Sequence, residues 1–150
     1  MNDLQKRYLD ETGHRLRRKG FTVLPKNEGV LQVEMAGVLL CHINMRRGMC
    51  YDAGLVQRNG LEDALDQVRS IAVETQAYMR QMAAAPPLLA EGLSGNYRLL
   101  AEFNHIILAG HERDGGYGVE FITWERIRNG TALWQGHYYD GLNGYTAAKQ

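Results

Sequence analysis

The sequence predicts an α+β fold in which helices and runs of antiparallel strands follow one another along the chain. Three observations carry that reading. Apolar residues recur at helical spacing over residues 61–82, and they alternate at steps of two over residues 30–35. Two turn signals, Asp114-Gly115-Gly116 and Asn129-Gly130, separate the strand-like runs of the last third. The strand–helix–strand rhythm of a parallel sheet is missing.

Taken in order, residues 2–19 predict a helix. Asn2 or Asp3 can cap it, Leu4, Tyr8, Thr12 and Leu16 form one stripe, and Gly20 offers a left-handed stop. Phe21–Leu24 predicts a strand ending at Pro25, and Lys26–Gly29 a turn. Val30–Met35 alternates as a half-buried strand, Ala36-Gly37 turns the chain into Val38–Ile43, and Met49–Tyr51 returns it. The long central helix carries Leu61, Ala64, Leu65, Val68, Ile71, Ala72, Thr75, Met79 and Met82 on one stripe. Asn59 is its candidate cap, and Pro86 and Pro87 bar its continuation. A linker through Gly92–Asn96 precedes a three-stranded meander, Ile106–Gly110, Val119–Trp124 and Ala132–Tyr139. A short helix from Tyr145 ends the chain abruptly, so that either the tail docks on the sheet or a continuation follows. The expectation is a single compact domain over 1–150, with any subdomain boundary near 84–96.

The composition excludes several classes of function. Hydrophobic residues make up 45% and charged residues 23%, which is a globular balance and not a disordered one. Seventeen basic residues stand against seventeen acidic ones, so no overall field draws in nucleic acid or anionic lipid. Residues 1–60 are net +4 and residues 61–150 net −4. Two cysteines are too few for a secreted disulfide scaffold, the N-terminal segment lacks the apolar core of a signal peptide, and no apolar run approaches a membrane span. These features predict a cytoplasmic protein that makes no membrane contact.

No chemical motif stands out. Cys41, His42 and Cys50 lack the paired-knuckle spacing of structural zinc, and neighbours on a strand point to opposite faces. A Cys–His nucleophile pair needs an activated thiol, and no helix N-terminus follows either cysteine. His105 and His111 on one strand would lie about 20 Å apart, and His137 approaches them only across the sheet. There is no phosphate loop, dinucleotide fingerprint or nucleophile elbow. No catalytic residue, metal or cofactor is assigned.

Two surfaces remain. The β-rich end holds Phe103, Tyr117, Phe121, Trp124, Trp134, Tyr138, Tyr139 and Tyr145, which read mostly as core and cross-strand pairs, with Trp124 near Trp134. Rings left exposed there would grip a protein partner. The basic set Arg15, Arg17, Arg18, Lys19, Arg46 and Arg47 is explained in part by the helix dipole, since cations favour a helix C-terminus. It is the alternative, nucleic-acid-binding surface.

From Tyr97 onward the sequence resembles a small uncharacterised domain found in proteins of integrative and conjugative elements of gut Firmicutes. Phe121, Thr123 and Trp124, then Gly136, His137 and Tyr138, then Tyr145, Ala147, Ala148 and Lys149 carry the resemblance. It covers the last third of the chain and implies a mobile-element setting without transferring a catalytic residue. The leading expectation is a non-catalytic accessory or interaction domain that binds a protein partner or itself through Trp124, Trp134, His137 and Tyr138. A nucleic-acid-associated factor using the basic set stands second. An enzyme whose site assembles only in the fold stands third.

Overall fold

The computed structural model describes residues 2–45, 47–88, 97–103, 106–112, 118–127 and 132–140, with the backbone alone at 103, 126–127 and 132–140. Helices and two antiparallel four-stranded sheets make it an α+β protein. It divides into two compact units between Ala77 and Tyr78. That division falls inside an unbroken helix, where no proline, glycine or change of composition marks it in the sequence. The helix expected from Tyr145 and the expected linker through Gly92–Asn96 lie outside the described residues.

The first unit opens with α1 (Asp3–Arg18). Asn2 caps it reciprocally: its Oδ1 accepts from the Gln5 N–H at 2.8 Å, and Gln5 Oε1 accepts from the Asn2 N–H at 3.0 Å. Gly20 stops it at φ +98°, as expected of a residue without a Cβ. Four strands follow in a meander whose spatial order is that of the chain: β1 (Thr22–Asn27), β2 (Val30–Met35), β3 (Val38–Asn44) and β4 (Gly48–Cys50). Strand β1 runs through Pro25, where the sequence predicts its end. It is an edge strand, so the missing proline N–H costs no ladder bond, and the register shifts between Pro25 and Asn27. Ala36 and Gly37 both lie at positive φ, +52° and +79°, which matches the twist a two-residue hairpin needs. Ala36 bears a steric cost of about 1 kcal/mol there.

Between Val33 and Glu34 the ladder slips, and Leu40 has no partner across the strand. This bulge lets two consecutive residues, Leu40 and Cys41, both be buried. A short helix, α2 (Ala53–Arg58), then follows, capped by Asp52, whose Oδ1 accepts from the Leu55 N–H. The sequence reading contains no such helix, because six residues offer too little periodicity to see. Asn59 belongs to its C-terminus, where its side chain donates to the Leu55 carbonyl, and does not cap the next helix.

That next helix, α3 (Glu62–Ala84), buries Leu65, Val68, Ile71, Ala72, Thr75, Met79 and Met82, the stripe that the periodicity predicts. Its first part shares one core with Leu9, Leu16, Phe21, Val23, Leu31, Val33, Leu40 and Ile43. Two side chains tie α1 to α3. The Tyr8 hydroxyl donates to the Ala72 carbonyl, and Arg15 reaches Glu74 and Thr75.

The second unit begins with Tyr78 and contains β5 (Arg98–Phe103), β6 (Ile106–Glu112), β7 (Val119–Ile127) and β8 (Ala132–Asp140), again in chain order. Strands β6, β7 and β8 are the expected meander. Strand β5 adds a fourth member that the sequence reading left within the loop and its flank. One sheet face carries Gly110 opposite Phe121. There the Tyr78 ring meets the Phe121 ring edge-on, with centroids 5.1 Å apart. The other face carries Ile107 opposite Trp124 and Ala109 opposite Ile122, clustered with Leu88.

Candidate interaction site

The cysteine–histidine cluster separates as the strand geometry requires. Cys41 is buried, whereas His42 pairs across the sheet with the exposed Cys50, and Lys26 Nζ lies 3.4 Å from His42 Nε2. Burial pushes the Cys41 thiol up to about 12, with Arg69 pulling it down and Cys50 adding slightly to the rise. A thiol held protonated is no nucleophile at neutral pH. Among the described residues no three His, Cys, Asp or Glu side chains converge as metal ligands.

The high Cys41 value has a consequence for stability. Between pH 9 and 12 the unfolded chain releases this proton while the folded chain keeps it. The unfolded state then binds fewer protons, and stability falls as pH rises. The expected loss is about 1 kcal/mol per pH unit above 9. The reduced chain compared with Cys41→Ala by urea unfolding across that range checks it, since the variant removes this part of the slope. A slope equal in both proteins would refute it.

Two concavities lie in the first unit. One of about 180 Å³ is lined by residues including Tyr8, Ile43, Met45, Met49 and Val73. The other, of about 320 Å³, includes Cys41, His42, Cys50, Tyr51 and Leu55. Sites for drug-sized molecules run from roughly 300 to 1,000 Å³. The first is too small, and the second stands at the lower limit beside an inert thiol.

The structure separates Arg15 from the rest of the basic set. Arg15 is 2% exposed and engages Glu74 and Thr75, so it has nothing to offer a phosphate. Arg17 donates to the Val23 carbonyl at 3.1 Å. Arg46 lies outside the described residues. Arg18, Lys19 and Arg47 lie at helix and turn ends.

In the second unit, His111 and Glu120 face each other across β6 and β7. The imidazole Nε2–H donates to Glu120 Oε1 at 2.9 Å, both side chains being 20% exposed. Tyr97 packs over His111 with centroids 4.4 Å apart, and its ring also meets Trp124 at 5.1 Å. The sequence reading did not pair His111 with Glu120. His105 lies outside the described residues.

The aromatic set expected to grip a partner divides. Trp124 is only 8% exposed and belongs to the cluster around Leu88, which corrects its assignment to an exposed contact face. Strand alternation shows which residues share a face and not whether that face is covered. Trp134, His137 and Tyr138 lie on β8, at register positions opposite Glu125, Thr123 and Ile122. Trp124 itself sits where the β7–β8 ladder slips between Thr123 and Glu125, so Trp134 does not pair with it.

The edges of the two sheets differ in a way that bears on binding. Strand β1 carries Pro25, Lys26 and a register shift, all devices that discourage pairing with another strand. Strand β4 is three residues long. Strand β5 is slipped between Leu99 and Ala101, and its outer side meets Pro87. There the Leu88 N–H donates to the Tyr97 carbonyl and the Leu99 N–H to the Pro86 carbonyl. Strand β8 has nine residues, ALWQGHYYD, with no lysine and no proline. Among the described residues no strand lies along its outer side.

No helix among the described residues is long and apolar enough to cross a membrane. Comparison with protein-family models, with curated proteins and with solved structures finds no match to this chain.

Proposed function

We propose that this chain is a non-catalytic interaction domain that accepts an extended strand along the outer edge of β8. The observation that carries the reading is the contrast between edges. Strand β1 carries Pro25 and Lys26, β4 is three residues long, and β5 meets Pro87. Strand β8, though bulged at Gln135–Gly136, has nine residues with no lysine or proline, and no strand lies along its outer side among the described residues. An edge strand exposes a row of unpaired N–H and C=O groups, and adding a strand satisfies them. Main-chain hydrogen bonds then supply affinity, and alternate side chains supply selectivity. Trp134, His137 and Tyr138 belong to this edge by sequence position. The resemblance of the last third to a mobile-element domain adds a bacterial mobile-element setting to the proposal, and the composition of the sequence a cytoplasmic one.

Site-specific photo-cross-linking in cells tests it. With p-benzoylphenylalanine in place of Gln135 on β8, an adduct is expected; with the same probe in place of Lys26 on the blocked edge, none is. No adduct from residue 135, or equal capture from both positions, would overturn the reading.

A further inference from the structure

We infer that the concavity of about 180 Å³ lined by α3 and the β3–β4 hairpin binds a small aromatic monocarboxylate, its ring held beside two methionines and its carboxylate by Arg69. This site lies wholly in the first unit and is independent of the β8 edge. It goes beyond the function proposed above.

Helical spacing sets Arg69, Ala72, Val73 and Gln76 on one stripe of α3, at steps of three and four, and that stripe forms one wall. Ile43, Met45 and Met49, on and beside β3 and β4, form another. Two positions keep the space open: Ala72 projects only a methyl group, and Gly48, at φ +78°, projects nothing. An apolar cavity of roughly 150 Å³ takes up a benzene-sized ring. The volume here therefore admits one ring. Methionine suits that occupant, because its flexible thioether adapts to shape and its sulfur makes favourable contacts with aromatic edges. The polar groups select an acid. Arg69 Nη1 donates to Asp66 Oδ1 at 2.9 Å, while its other donors, like the Gln76 amide, bond to no group among the described residues. The Arg69–Asp66 pair is exposed on both sides, so it is weak and a second carboxylate can share the guanidinium. Asp66 does not cancel the charge either: Arg69 still pulls the buried Cys41 thiol down against the effect of burial. A planar fork of donors beside an apolar pocket fits a carboxylate carried on a ring. Among the described residues that line the pocket, none is acidic and would repel it.

The probe is phenylacetate, with phenylacetamide as its uncharged counterpart, each titrated into the full chain and followed by methyl NMR. The methyl signals of Ile43, Met45, Met49, Ala72 and Val73 report on the site directly. Saturable shifts centred on these signals are expected, with a Kd on the order of 1 mM. The acid is expected to bind about tenfold more tightly than the amide, the effect of one charge-assisted hydrogen bond. Arg69→Gln, at a position about half exposed, should remove that preference and leave the affinity of the amide unchanged. Arg69→Lys should retain part of the preference, because the charge stays and the fork is lost. No saturation at about 10 mM, shifts centred on other methyl groups, or equal binding of acid and amide would each overturn the inference. So would a preference for the acid that survives Arg69→Gln.

Discussion

Glu74→Ala is expected to destabilise the first unit by about 3–5 kcal/mol, although Glu74 itself is partly exposed. The reason lies in its partner. Arg15 sits in the last turn of α1 with 2% of its surface exposed, and its guanidinium donates to Glu74 Oε1 and, at 2.9 Å, to Thr75 Oγ1. Removing the carboxylate takes a charge-assisted bond away from a buried cation, and breaking one partner of such a buried pair costs several kcal/mol. Arg15→Met should cost less, about 1–2 kcal/mol, because it removes the buried charge, keeps most of the volume, and leaves Glu74 able to turn toward water. In the Arg15→Met background, Glu74→Ala should then be nearly neutral. Urea unfolding of the four proteins checks this, with hydrogen exchange at α1 amides to localise the effect. A Glu74→Ala cost below about 1 kcal/mol would place the pair with ordinary surface ion pairs and refute the argument.

In the second unit, Phe121→Ala is expected to cost about 3–5 kcal/mol. Phe121 is fully buried, edge-on to the equally buried Tyr78, and opposite Gly110 in the ladder. Glycine provides no side chain to refill the space, so the cavity persists. Gly110 also sets a limit from the other side. A Cβ built there would lie 3.2 Å from Leu100 Cδ1, 3.3 Å from Phe121 Cδ1 and 3.4 Å from Met82 Sδ. Gly110→Val should therefore cost about 1–3 kcal/mol by overpacking. A double-mutant cycle with Phe121→Leu and Tyr78→Leu should return a coupling of about 0.5–1.5 kcal/mol. Additive effects within about 0.3 kcal/mol would mean that the rings do not recognise one another.

The elements legible in the sequence were those with enough residues to repeat a pattern. Helix α3 was legible from its stripe and α1 from its cap and stop, while Ala36-Gly37 located its hairpin because few residues tolerate two positive φ angles in a row. Helix α2 was not legible, since six residues hold fewer than two turns. Strand β5 was missed because its apolar residues lie beside a glycine-rich segment that reads as loop. The candidate site was legible in part: the β-rich end was singled out, but Trp124 was assigned to the wrong side of the surface. The basic cluster misled more seriously, because Arg15 occupies a position in the last turn where a solvated cation is the usual reading.

By itself, the sequence determined the class of the fold, the order of its main elements and the separation of Cys41 from His42, because those follow from local backbone preference and from periods of 3.6 and 2. Only the tertiary structure decided which faces were covered, that Arg15 was buried against Glu74, that a bulge placed Leu40 and Cys41 both in the core, and that Pro86 and Pro87 lie along the outer side of β5. Those outcomes depend on groups far apart in the chain that meet only after packing, and no local pattern encodes the partner at the other end of such a contact.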